Sequence, residues 1–167
     1  MAKIITYEDW IAYLRSLAAG HKLLNPEHAA DGHFYEFEED FAGNNILYPA
    51  MVSIPPRHSL QDAISDNVMK NYAPEFWIMK SVSKGDHAGR RAAVDLCEAI
   101  GLELIRKMKS DNADYSLTTD RKIQDFKLSS VKWDQLGPVR NDNCFGQAFE
   151  LTFQNAISMQ VDATKWW

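Results

Sequence analysis

Cysteine, long apolar runs and surplus positive charge are all scarce in this sequence. Two cysteines, Cys97 and Cys144, are too few for a disulfide framework. They read as small buried hydrophobes held reduced in a cytoplasm. No apolar run approaches the roughly 18–20 residues that span a bilayer. The opening residues, Met1 to Glu8, lack the apolar stretch of a signal peptide. Lys and Arg number 18 against 23 Asp and Glu, a formal net charge of −5. Generic binding to nucleic acid or anionic membrane needs clustered cations, so neither is expected.

What is present suits one folded unit. The 167 residues are 46% hydrophobic and include five tryptophans. A chain of this length buries about 70% of its unfolded surface without help from metals or disulfides. No repeat, low-complexity tract or linker divides it, so residues 1–167 read as a single domain.

Thr6 and Asp9 have the spacing of a capping box, and Ile5 and Trp10 that of a hydrophobic staple. They predict a helix over 7–19, with Trp10, Tyr13, Leu14, Leu17 and Ala18 on its apolar face and Gly20 at its end. A loop over 21–33 leads to a strand at 34–41. There Tyr35, Phe37 and Phe41 share one face and Glu36, Glu38 and Asp40 the other. A second strand at 46–54 completes an antiparallel hairpin, with Pro49 marking an edge or bulge and Pro55-Pro56 ending it.

Residues 57–73 are the least legible, either strand or short helix. Residues 75–82 are apolar on both faces, as in a central strand. A long helix over 87–109 follows, N-capped by Asp86, with Lys107 and Lys109 in its last turn. Two long strands close the chain, at 122–134 and 144–158, joined through Gly137-Pro138. The order is α-β-β-β-α-β-β. That is an α+β fold, a mostly antiparallel sheet with the N-terminal helix and the long helix packed on it.

Catalytic chemistry finds little purchase. His21, His28 and His33 share a loop but fit no zinc spacing. The segment Lys84 to Arg91 lies where phosphate loops occur, yet lacks the Lys-Ser/Thr of a Walker A. It reads as a turn and an N-cap. Were there a hidden enzyme or ligand site, Asp86, His87 and Arg90 at that helix start would be its first candidates. The acidic face of Glu36, Glu38 and Asp40 reads as solvated or interface-facing. No catalytic residue, metal or cofactor is assigned. Trp166 and Trp167 close the sequence given, and segment 159–167 is a candidate interaction segment. Tryptophan pairs either pack on their own core or dock on a neighbouring subunit.

The order of these elements resembles the tail terminator (tail-completion) proteins of long-tailed bacteriophages. The likeness lies in an N-terminal helix, the Tyr48-Pro49-Ala50-Met51-Val52 strand and the central Phe76-Trp77-Ile78-Met79 strand. It continues in the turn at Gly85 into a long helix to Met108, and in the closing strand from Gly146 to Phe153. It covers roughly residues 5–158 and is one of pattern and order. Related neck, connector and tube-associated proteins of phages and contractile injection systems share similar folds. The resemblance implies a non-enzymatic virion subunit that forms a ring, typically a hexamer, at the head-proximal end of a tail. Its partners would be tail tube and neck proteins, after assembly in the host cytoplasm. Trp166 and Trp167 would then contact neighbouring subunits. Glu36, Glu38 and Asp40 would face the channel and repel passing DNA.

Overall fold

A computed structural model of the chain describes residues 6–36, 45–62, 68–113, 126, 128–139 and 143–157. Helix α1 spans Tyr7–Gly20 and helix α2 spans His87–Ala113. The strands are β1 (Phe34–Glu36), β2 (Ala50–Asp62), β3 (Val68–Ser81), β4 (Lys132–Val139), β5 (Cys144–Glu150) and β6 (Phe153–Ile157). They form one sheet in the order β1-β2-β3-β5-β4, with β6 also paired to β3. Only the β1–β2 pair is parallel. The fold is α+β, with the expected order broadly kept.

Helix α1 starts as its sequence dictates. The Thr6 side chain accepts from the Asp9 amide (3.1 Å), and the Asp9 carboxylate accepts from the Thr6 amide (3.2 Å). Thr6→Ala leaves one of these end amides unpaired and is expected to cost about 1 kcal/mol, read by urea denaturation. Trp10, Ile11, Leu14, Leu17 and Ala18 are buried against the sheet. Helix α2 presents Ala93, Cys97, Ile100, Leu104, Ile105 and Met108 to the same layer. It runs a turn beyond the expected end at 109. There Asp111 accepts from the Tyr13 hydroxyl (2.9 Å) and pairs with Lys107, so a contact from α1 fastens the extra turn.

The antiparallel hairpin expected from 34–41 and 46–54 is overturned by its described part, 34–36, residues 37–41 lying outside the described residues. β1 runs parallel to β2, with Phe34 opposite Met51 and Glu36 opposite Ser53. Residues 37–49 supply the dozen or so residues that a parallel crossover needs. Pro49 precedes β2 instead of interrupting it, and 46–49 are not strand. The true hairpin is β2–β3. It pairs from Ala50–Met79 out to Asp62–Val68 and takes up most of the segment whose pattern was illegible.

Pro55-Pro56 does not stop β2. The register shifts between Ile54 and Arg57, and the two prolines lie in the bulge opposite Pro74 of β3. None of the three has an N–H to offer, so the ladder skips that level and resumes. The same level breaks the other edge of β3. The strand expected over 144–158 divides into β5 and β6, on either side of Leu151 and Thr152. The Leu151 amide donates to the Pro74 carbonyl (3.1 Å). Ser130 satisfies Thr152, its hydroxyl accepting from the Thr152 amide (3.0 Å). That serine belongs to a short 3-10 turn, Leu128–Ser130, which replaces part of the strand expected at 122–134. β4 begins only at Lys132 and runs through Gly137-Pro138, expected to be the connection. A register shift between Leu136 and Val139 accommodates that proline.

Both helices cover one face of the sheet. Across it lies an aromatic row set by register: Phe76 of β3, Phe149 of β5 and Trp133 of β4. Phe76 and Phe149 stack with centroids 5.2 Å apart, and Trp133 and Phe149 at 6.3 Å. The Trp133 indole also donates to Glu98 of α2 (3.1 Å). Gly101 of α2 sits over the tip of the Phe149 ring, so the helix can lie close to the sheet.

Three acids in this layer hold their protons more tightly than usual. Burial pushes the Cys97 thiol up from 9.0 to about 12, with Cys144 adding to the shift and Lys80 opposing it. Burial, then the hydrogen bond to Asp111, raises the Tyr13 phenol. Burial, then the nearby Tyr7 and Asp9, raises Tyr72. On unfolding, these groups regain their ordinary acidity and release protons into alkaline solution. The contribution of Cys97 to stability is therefore complete below about pH 9 and is lost as pH rises toward about 12, and those of the two tyrosines begin to fall only above their ordinary value of 10.0. Thermal unfolding is expected to show a falling Tm over that window, and Cys97→Ala to flatten its onset.

Candidate assembly surface

The face of the sheet turned away from the helices carries its own apolar cluster. The inward side of β3 is Phe76 and Ile78, so strand alternation sends Trp77 and Met79 to the other side. Val52 of β2 and Cys144 of β5 join Met79 there, all three fully buried. Tyr35, Tyr48, Ile46 and Ile54 pack around them, as do Trp77, Leu136 and Val139. No member lies on either helix. These surrounding side chains are only partly buried, and Leu47 beside them is half exposed.

Polar groups in the cluster are paired locally, which leaves their apolar bodies for contact. The Tyr48 hydroxyl and Cys144 Sγ are 2.9 Å apart. The Tyr35 hydroxyl accepts from the Leu47 amide (2.8 Å). The Trp77 indole donates to Glu75 (2.6 Å). Such a surface, aromatic and ringed by groups with satisfied hydrogen bonds, has the composition of a protein interface.

Two stretches of open edge border it. Among the described residues β4 is an outermost strand, and Trp133 on it is 43% exposed. Among the described residues, β1 covers β2 only from Met51 to Ser53, so the outer edge of β2 from Ile54 to Asp62 has no strand beside it. Arg57 to Gln61 are exposed, including Leu60 at 59%. Unpaired edges of this length are templates for a further strand.

The residues singled out from sequence fall elsewhere. Glu36 lies on the helix side of β1, the side of buried Phe34, where its carboxylate accepts from Arg15 Nη2 (2.8 Å). Glu38 and Asp40 lie outside the described residues, as do Trp166 and Trp167. Asp86 does cap α2, accepting from the Gly89 amide (2.8 Å). Arg90 lies over the Phe145 ring, its guanidinium carbon 4.6 Å from the centroid, and His87 is exposed. This trio is accounted for by capping and packing. The three loop histidines do not converge: His21 meets Glu103 of α2 (2.9 Å), and buried His33 meets the Pro49 carbonyl (3.0 Å). His28 is exposed with φ 55°. Among the described residues, no group of three or more His, Cys, Asp or Glu is placed to hold a metal ion. No helix there is long and apolar enough to cross a membrane.

Sequence reading missed the second apolar face as a site, although one signal for it was visible. Phe76-Trp77-Ile78-Met79 is apolar at both parities, which requires cover on both faces, and the helices supply only one. Comparison with protein-family models, with curated proteins and with solved structures gives no match.

Proposed function

We propose that this chain is a structural subunit of a homo-oligomeric ring, a tail terminator at the head-proximal end of a phage tail. The observation that carries the reading is the helix-free apolar face bordered by open sheet edges. A subunit that stays alone gains nothing from the remaining exposure of the partly buried Trp77, Leu136 and Val139, whereas a ring subunit buries such a surface against its neighbour. The element order, one helix, three strands, a long helix and closing strands, supports the family likeness. Tail tube and neck proteins are the proposed partners, and no cofactor is needed for the role.

In this reading Trp166 and Trp167 contribute to subunit contacts. Glu36, Glu38 and Asp40 border the channel, where negative charge keeps DNA from adhering. Light scattering after size exclusion, with negative-stain imaging, is expected to show a hexamer-sized ring. A folded monomer at every concentration rejects the reading. A cryo-EM map placing the acidic residues on the outer rim removes the channel assignment and leaves the ring.

A further inference from the structure

Two open edges lie on opposite sides of one sheet, and the strand directions fix how copies of it can meet. Among the described residues, the outer edge of β2 beyond Pro55-Pro56 has no strand beside it, and neither has the outer edge of β4. Residues 57–61 on the first and 132–135 on the second are exposed. β2 runs antiparallel to β3, β3 to β5 and β5 to β4, so β2 and β4 point in opposite directions. A second copy in the same orientation, set so that the sheet continues, therefore brings its β4 antiparallel to β2, with the helices of both copies on one side. The side-chain rows correspond as well. His58 lies opposite Tyr72, on the helix side, so Leu60 shares that side. Trp133 lies opposite Phe149, also on the helix side. At 59% and 43% exposure, Leu60 and Trp133 are large apolar groups that the two edges leave in water.

Resting on the ring reading, we propose that β4 of one subunit adds to the 57–62 edge of the next, antiparallel, with Trp133 opposite Leu60. The rest of the register follows. Gln135 meets His58, Asp134 meets Ser59, Lys132 meets Gln61 and Leu136 meets Arg57, so no like charges are opposed. Asp134 stands diagonal to Arg57, which already holds Glu150 of its own chain (2.5 Å). Pro138 falls level with Pro55, so the ladder ends where prolines on both strands withhold their amides. Pairing of like edges fits less well. Two β4 strands centred on Asp134 oppose that carboxylate to itself, and centred on Gln135 they draw Pro138 into the ladder against Lys132. Two β2 edges paired together leave Trp133 in water. The main chain of each edge supplies the hydrogen bonds, as in any added strand, and Leu60 with Trp133 supplies the apolar contact. Since the two edges are different surfaces, the contact is heterologous, the type from which rings are built.

The test uses the full chain with Ser59→Cys in one preparation and Asp134→Cys in another. Cys97 and Cys144 are buried and do not compete. Directly opposite residues have Cβ atoms about 4.5–5.5 Å apart, within a small adjustment of disulfide geometry. After mixing under conditions that exchange subunits, diamide is expected to give a species of two chains joined 59 to 134, and neither preparation alone to give one. Leu60→Asp, a change at an exposed position, is expected to reduce the ring to the mass of one chain with an unchanged circular dichroism spectrum. A ring that survives Leu60→Asp, or one that forms no 59–134 disulfide, overturns the edge pairing and leaves the ring standing. Two-chain species from either preparation alone mean that like edges meet, and overturn it too. A wild-type chain that stays a monomer at every concentration overturns both readings.

Discussion

Gly146→Ala is expected to lower stability by about 3 kcal/mol, which for a domain of this size is about 6–12 °C in Tm. Gly146 lies in β5, between the central strand and β4, opposite Met79 of β3 and Leu136 of β4. A Cβ there would run into the backbone carbonyl oxygen of Ile78 and come within 2.9 Å of the Met79 Cα. Backbone atoms have no rotamer to escape into, so β3 and β5 must separate or the local register must deform. Both strands carry the two apolar layers, and neither can shift without opening Phe76 and Phe149 on one face and Met79 and Cys144 on the other. Scanning calorimetry measures the loss directly. An alanine variant as stable as the parent would mean that the two central strands do not approach this closely.

Phe149→Ala is expected to cost about 3–5 kcal/mol, the range for removing a fully buried aromatic ring. Phe149 has no exposed surface and is flanked by Phe76 and Trp133, with Gly101 against its tip. Its removal leaves a slot between three rigid neighbours that cannot collapse into it. Gly101→Leu fails for the opposite reason, because even a Cβ at that position overlaps the ring. Overpacking of this kind costs about 1–3 kcal/mol, more than the roughly 1 kcal/mol that leaving glycine returns to a helix. The two changes together are expected to cost less than their sum, by about 0.5–3 kcal/mol, since the leucine fills the space the ring vacated. Strict additivity in a double-mutant cycle by chemical denaturation would place α2 further from β5 than described.

Legibility from sequence tracked how local each signal was. The capping box at Thr6 and Asp9, the stripe of α1 and the three- to four-residue periodicity of α2 depend on residues within one or two turns, and they reappear as read. The central strand was visible from its doubled apolar parity. Pairing partners were not. That β1 meets β2 in parallel is a pairing between segments, and no residue near Tyr35 encodes it. Proline misled most. Taken alone, Pro55-Pro56 ends a strand and Gly137-Pro138 makes a turn. In the sheet, the first pair faces Pro74 across a level where no amide is required, and the second sits at a register shift in an edge strand. The end of α2 moved for a similar reason: Asp111 is held by Tyr13, which lies ninety-eight residues earlier.

By itself, the sequence determined the class. Its hydrophobic periods specify two amphipathic helices and an apolar-on-both-sides strand, and no more than one layer of helices is available to cover them. Its charge and its two buried cysteines were equally plain, because these are sums over residues and need no partner. Only the tertiary structure decided where the second, helix-free apolar cluster lies. Trp77, Met79, Val52 and Cys144 come from three strands, and their meeting depends on register. Register is set by pairing across long separations and by three prolines that withhold their amides at one level. The same pairing carries Ile157 to the far end of the hairpin, opposite Val68, a position no local pattern around Phe153 encodes.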